Sequence, residues 1–279
     1  FYGVAQPALW EALRPGGLFA EGPDSQMRQT TLVANHHMLF GKKKASSSGA
    51  VKPPTGEELL EHYTPEQLRA HFLALGLDQK SVGFSPKPFD PDPAKRDDPR
   101  YADPVLKEGA LLTNVFNRLA RYEAQKNFDG CMPLGTVTPE VRRRAFEALL
   151  DYEERMHKVE LHRVMSVCDE FIRWSNKWWA DGIKAAEASE DADARRQVLV
   201  DSFYLLRMAT LLMHPIVPVG CEKICDYLSF DFGDFFSWNY DFDSNDELCP
   251  AIEIDAGAHR IHELPPRFDF FRKHESQYK

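Results

Sequence analysis

The chain has 279 residues, 43% of them hydrophobic and 28% charged, with a formal net charge of -9. This balance suits an ordinary soluble globular protein with one large or two ordinary cores, and it excludes a disordered chain. No apolar run reaches the roughly 18 to 20 residues of a membrane span, and the acidic sum argues against a generally basic nucleic-acid coat while leaving room for a local one.

The opening FYGVAQPALW has neither the cationic start nor the cleavage region of a signal peptide, so a cytoplasmic location is expected. Phe1, Tyr2 and Gly3 follow no cap or leader, as though cut from inside a longer domain. Residues 1 to 40 alternate a helix-like stretch, Ala8 to Leu13, with a β-branched run, Thr30 to Ala34, that suits a buried parallel strand. HHMLF then leads into a loop of lysines and serines, which is α/β grammar.

Helical grammar follows. Thr55 with Glu58, and Thr64 with Pro65 and Gln67, are helix caps, and Gly76 sits where a helix can end. The stretch from Ser81 to Pro104 is rich in proline and charge and reads as a long surface connection without regular structure. Asp103 and Pro104 are again a cap and a first-turn proline. From there a 3.6-residue period predicts helices over Val105 to about Asn127, Pro139 to about Ala188, and Asp191 to about Met213. After a break at His214 to Pro218, a helix over Gly220 to Leu228 completes a bundle of about four or five helices. The aromatic and acidic tail from Phe230 is expected to pack back across the chain.

The segment Lys42 to Gly49, KKKASSSG, carries the chemistry. Lysine ammoniums are mobile point charges for phosphate oxygens, serine hydroxyls and backbone N–H groups add donors, and Gly49 allows a close turn. It is not a Walker loop, because GxxxxGK[ST] is absent. With ELLEHYTPEQLRAHFLALGL downstream, it resembles the KMSKS signature of class I aminoacyl-tRNA synthetases. Lys44, Ala45, Ser46, Ser47 and Ser48 occupy the motif positions, Gly49 the next, and Leu68 with Arg69 a later one. Ser47 stands where that family usually has a second lysine, and the family's first signature, HIGH, has no match. The N-terminal half of the catalytic domain is therefore expected to lie outside this chain. The resemblance implies that the loop stabilises the departing pyrophosphate while a carboxylate attacks the α-phosphate of ATP, which is accompanied by Mg2+. It implies catalytic roles for Lys44, Ser46, Ser47 and Ser48, and ATP contacts from Lys42, Lys43, Lys44, Ser46, Ser48, Gly49 and Gly3.

The helical half is similar to the anticodon-binding part of the methionyl branch. LLTNVFNRLARYEAQKNFDGCMP matches the entry helix, with Asn114, Asn117 and Arg118 at polar positions and Phe128, Asp129, Gly130 and Pro133 at its end. Asn114 and Arg118 share one helix face, and amide and guanidinium groups there suit the edges of unstacked bases. In FIRWSNKWWADGIK, aligning Phe171 and Ile172 with the family pattern puts Trp178 at the base-stacking position and Trp179 one step off, with Lys177 replacing the usual proline. Arg173 and Lys177 are candidate phosphate contacts. Pro215, Pro218, Glu222, Lys223, Ile224 and Leu228 fit the late helix pair in order, and ELPPRFDFFRKHE is similar to the closing segment.

No metal is expected. Cys221 and Cys225 share a helix face as buried thiols, no CxxC pair occurs, and the spacing of His157 and His162 is wrong for a helical ligand pair. The fold expected is mainly α with a partial α/β part: the C-terminal half of a Rossmann-type catalytic domain over 1–50, a stem-contact-like connective region over 51–103, and a helical anticodon-binding bundle with its tail over 104–279. The resemblance implies a methionine–tRNA ligase type of protein whose partners are tRNA, ATP and methionine, with no membrane. Two alternatives stay open: a synthetase-like paralogue that binds tRNA or nucleotide without charging it, and a class I synthetase for another amino acid.

Overall fold

A computed structural model describes residues 33–40, 43–44, 49, 52–127, 129–236, 259–265 and 268–278. The chain divides into two compact units, Phe1–Asn35 and His36–Lys279. Of the first unit only Val33 to Asn35 are described, and they have no regular structure. The helix expected at Ala8 to Leu13 lies outside the described residues, as does most of the strand expected at Thr30 to Ala34. Val33 and Ala34 are not in a strand; the strand is β1, Met38–Phe40, in the segment that leads toward the lysines.

β1 is the centre of a small sheet. It pairs antiparallel with β2, Lys43–Lys44, and parallel with β3, Val82–Phe84. β3 corrects the reading of the proline-rich stretch as a connection without regular structure. The same stretch also holds a 3-10 turn at Lys87–Phe89 and a helix, α3, at Pro93–Asp97. Pro88 and Pro93 sit at first-turn positions, where the missing N–H has no cost, and Phe84 enters a core with Leu59, Tyr63, Leu68 and Val105.

The helix starts follow the caps. α1, Gly56–Leu60, and α2, Pro65–Ala74, both open with complete capping boxes, Thr55/Glu58 and Thr64/Gln67. Gly76 follows α2 at φ +67, the left-handed conformation that ends helices. α4, Pro104–Gln125, is capped by Asp103, whose second oxygen accepts the Tyr63 hydroxyl at 2.5 Å.

The predicted helix over Pro139 to about Ala188 is two helices, α5 at Pro139–His157 and α6 at Leu161–Ser189. The chain turns at Val159, which has φ +58, and Arg155 holds the turn by bridging Asp151 and Glu160 at 2.9 Å each. The apolar period runs through the break, which hides it in the sequence. α7 spans Ala192–Met213, α8 Pro218–Tyr227 and the short α9 Phe232–Phe235. Their shared core contains Phe116, Leu119, Leu149, Phe171, Ile172, Leu205, Leu206 and Ile224.

The described tail does pack back. His259–Arg260, β5, pairs with Cys131–Met132, β4, and Phe270 and Phe271 are buried in the bundle core. Gln277 Nε2 donates to the His62 carbonyl at 2.9 Å, so the chain's end returns to the α1–α2 region. Gly220 admits this tail closely: a Cβ there would fall 2.0 Å from the Phe271 ring.

Candidate functional site

Two features are the candidates for chemistry, and the fold fastens them to one body. The first is the lysine hairpin. Lys43 and Lys44 form β2 with registers Phe40↔Lys43 and Leu39↔Lys44, so two of the lysines stand on an edge strand where a loop was expected. Lys44 is exposed. Gly49 is half-buried in a bend. Gly3, Lys42, Ser46, Ser47 and Ser48 lie outside the described residues.

α2 bolts this region to the bundle. Arg69, expected only as a later motif position, donates to the carbonyls of Ile216 at 2.9 Å and Pro215 at 2.5 Å, closing the turn between α7 and α8. Glu66 accepts the Gly220 N–H at 3.0 Å and so caps α8, whose own N-cap, Val217, supplies no side-chain acceptor. Burial pushes the Glu66 carboxyl up, against the lowering effect of that hydrogen bond. Beyond α2, His162 at the start of α6 meets Asp78 at 3.0 Å, anchoring the turn that leads into β3.

The second feature is α4. Asn114 and Arg118 are exposed and share one face, as their spacing requires. Asn117 is only 8% exposed. Its Nδ2 donates to Asp269 at 2.7 Å and its Oδ1 accepts the Phe270 N–H at 2.7 Å, so its amide is engaged by the tail. The tryptophans separate. Trp179 is 9% exposed and stacks on Tyr122 of α4 with centroids 4.6 Å apart. Trp178 is half-buried against the main core and stacks on Trp174 at 5.4 Å. The guanidinium of Arg173 is paired with Asp169 at 2.8 Å, and Lys177 is exposed. The sequence reading passed over Arg121, although its place seven residues beyond Asn114 was a visible signal.

Cys168, Cys221 and Cys225 are buried, and burial pushes all three thiols up, Cys225 to about 11, which keeps them protonated. Among the described residues no three His, Cys, Asp or Glu side chains converge where a metal ion could sit. No helix among them is long and apolar enough to cross a membrane.

No family model matches the chain. Curated relatives do. The methionine–tRNA ligase of Methanosarcina mazei is 25% identical over 201 residues, 70% of this chain and 26% of the relative. That of Bacillus cereus strain G9842 is 21% identical over 238 residues, 84% of this chain and 41% of the relative. The chain is a relative of the methionyl-tRNA synthetases. It spans about a quarter to two fifths of the length of these curated relatives, with shares of 26% and 41%. Its mostly helical fold is similar to Mycobacterium tuberculosis methionyl-tRNA synthetase bound by methionyl-adenylate, with a TM-score of 0.58 at 20% identity over 85% of this chain and 43% of that one. The free-state structure of the same synthetase gives a TM-score of 0.53 at 18% identity, over 77% of this chain and 40% of that one.

Proposed function

We propose that this chain acts in a methionine–tRNA ligase type of protein, with ATP-dependent activation of methionine, transfer to tRNA, and a helical bundle that reads the anticodon. The observation that carries the reading is the joining of an edge strand with the exposed Lys44 and an exposed amide–guanidinium helix face through one fastened body. A ligase of this type needs both a polyphosphate-handling element and an RNA-reading element. Relatives named methionine–tRNA ligase support the choice of amino acid.

In this reading Lys44, Ser46, Ser47 and Ser48 act on the departing pyrophosphate, and Lys42, Lys43, Gly49 and Gly3 complete the ATP contacts. Positive charge and N–H donors placed where phosphate charge grows lower the barrier without reorganising at the moment of reaction. Ser47 donates a hydrogen bond but no charge, so Lys42 and Lys43 supply the remainder. Magnesium enters with the ATP phosphates. The remnant over 1–50, the connective region over 51–103 and the bundle over 104–279 are the proposed divisions, in a cytoplasmic protein.

On the RNA side, Asn114 and Arg118 contact unstacked bases of the anticodon loop, and Trp178 is the candidate platform. The buried Trp179 supports α4 through Tyr122, and Asn117 holds the tail. Binding of a methionine-anticodon stem-loop tests this: Arg118→Ala is expected to weaken it by about 1 to 3 kcal/mol. Equal binding of the variant and the unaltered chain would remove the reading of α4 as an RNA face.

A further inference from the structure

The face of α4 that carries Asn114 and Arg118 continues beyond them. Arg121 lies three residues past Arg118 and seven past Asn114, so the three side chains follow one line along the helix, which Gln125 extends. Asn114, Arg118 and Gln125 are exposed, and the Arg121 side chain is 37% exposed. Between Asn114 and Gln125 the helix has one acidic residue, Glu123, and it is buried. On a chain with a net charge of -9, this line is locally cationic.

An acidic neighbour comes from the tail. An Asp269 oxygen lies 3.6 Å from a terminal nitrogen of Arg121. The carboxylate does not depend on Arg121 for its place, because Asn117 donates to it at 2.7 Å and the next residue's N–H closes back onto Asn117. Phe270 and Phe271 behind it are buried. Arg121 therefore faces a fixed anion across a partly exposed gap longer than a hydrogen bond, an arrangement that contributes little to stability. A guanidinium binds a phosphate through two parallel hydrogen bonds, which this contact does not offer.

We propose that Arg121 is a phosphate-binding residue of the α4 face and that Asp269 is its resting partner, an internal carboxylate that an RNA phosphate displaces. This rests on the reading of α4 as an RNA face. On displacement Asp269 keeps its bond to Asn117, so the tail stays docked while Arg121 turns outward. Asn117 is the residue that holds Asp269, and with it the tail, in place.

The test is the affinity for a methionine-anticodon stem-loop as a function of salt, for the unaltered chain, Arg121→Ala, Asp269→Asn and Arg118→Ala. Losing one phosphate contact on single-stranded RNA lowers the log–log salt slope by about 0.7, which is about fivefold in affinity near 0.1 M salt. Arg121→Ala is expected to show both changes. Asp269→Asn keeps an oxygen for Asn117 but removes the charge, and is expected to tighten binding by up to about fivefold. Circular dichroism melting checks that each variant is folded. An Arg121→Ala variant with unchanged affinity and slope, or an Asp269→Asn variant that binds no tighter, would overturn the proposal. If Arg118→Ala weakens binding while Arg121→Ala does not, only this proposal falls. If neither matters, or the unaltered chain binds no stem-loop, the RNA face falls with it.

Discussion

Replacing Glu123 with glutamine should change how stability depends on pH. Glu123 lies on α4 with no exposed surface, and neither carboxylate oxygen has a hydrogen-bond partner among the described residues. Burial alone pushes its carboxyl well above the ordinary value of 4.5. The folded state thus keeps a proton that the unfolded chain releases. Stability is fully present below the unfolded value and is lost as pH rises toward the folded one, by about 1.4 kcal/mol for each pH unit in that window. Glutamine keeps the shape and removes the titration. Its own unpartnered amide adds an offset that does not vary with pH. Urea unfolding at about pH 5 and about pH 7 is expected to show the variant gaining on the unaltered chain by up to about 2.7 kcal/mol over those two units. Parallel stability curves would mean that the carboxyl is already charged or solvated in the folded state, and would refute the reasoning.

Other substitutions probe the fastenings. Arg69→Ala frees the carbonyls of Pro215 and Ile216 and is expected to lose about 1.5 to 3 kcal/mol in urea unfolding, the range of a hydrogen bond to a charged group. Gly220→Ala places a Cβ 2.0 Å from the Phe271 ring. It should lower stability by about 1 to 3 kcal/mol and raise hydrogen exchange in the tail around Phe270 and Phe271, whereas unchanged exchange there would show that the ring has room to move.

The local features of the fold were legible in the sequence because they are short-range hydrogen bonds. Thr55/Glu58, Thr64/Gln67 and Asp103/Pro104 each cap a helix within three residues, and Gly76 ends one. The break at Val159 was hidden by the continuing apolar period, although Arg155, His157 and Lys158 cluster as they do at a helix C-terminus. β3 escaped because its pairing with β1 joins residues more than forty apart in sequence and proline follows it. The site was legible as residue types and not as roles. Asn114 and Arg118 needed only helix spacing, but the partner of Asn117 lies 152 residues away and those of Arg69 lie 146 and 147 away. No local pattern carries such contacts. The same holds for the two tryptophans, whose adjacent positions point to different neighbours.

ATP–pyrophosphate exchange in the intact protein, with each amino acid in turn and with Lys44→Ala beside the unaltered chain, tests the proposed ligase chemistry. Exchange is expected to depend on methionine and to fall by about two orders of magnitude in Lys44→Ala, while stem-loop affinity stays unchanged. Exchange driven by another amino acid, no exchange with methionine, or an undiminished rate in Lys44→Ala would contradict that chemistry.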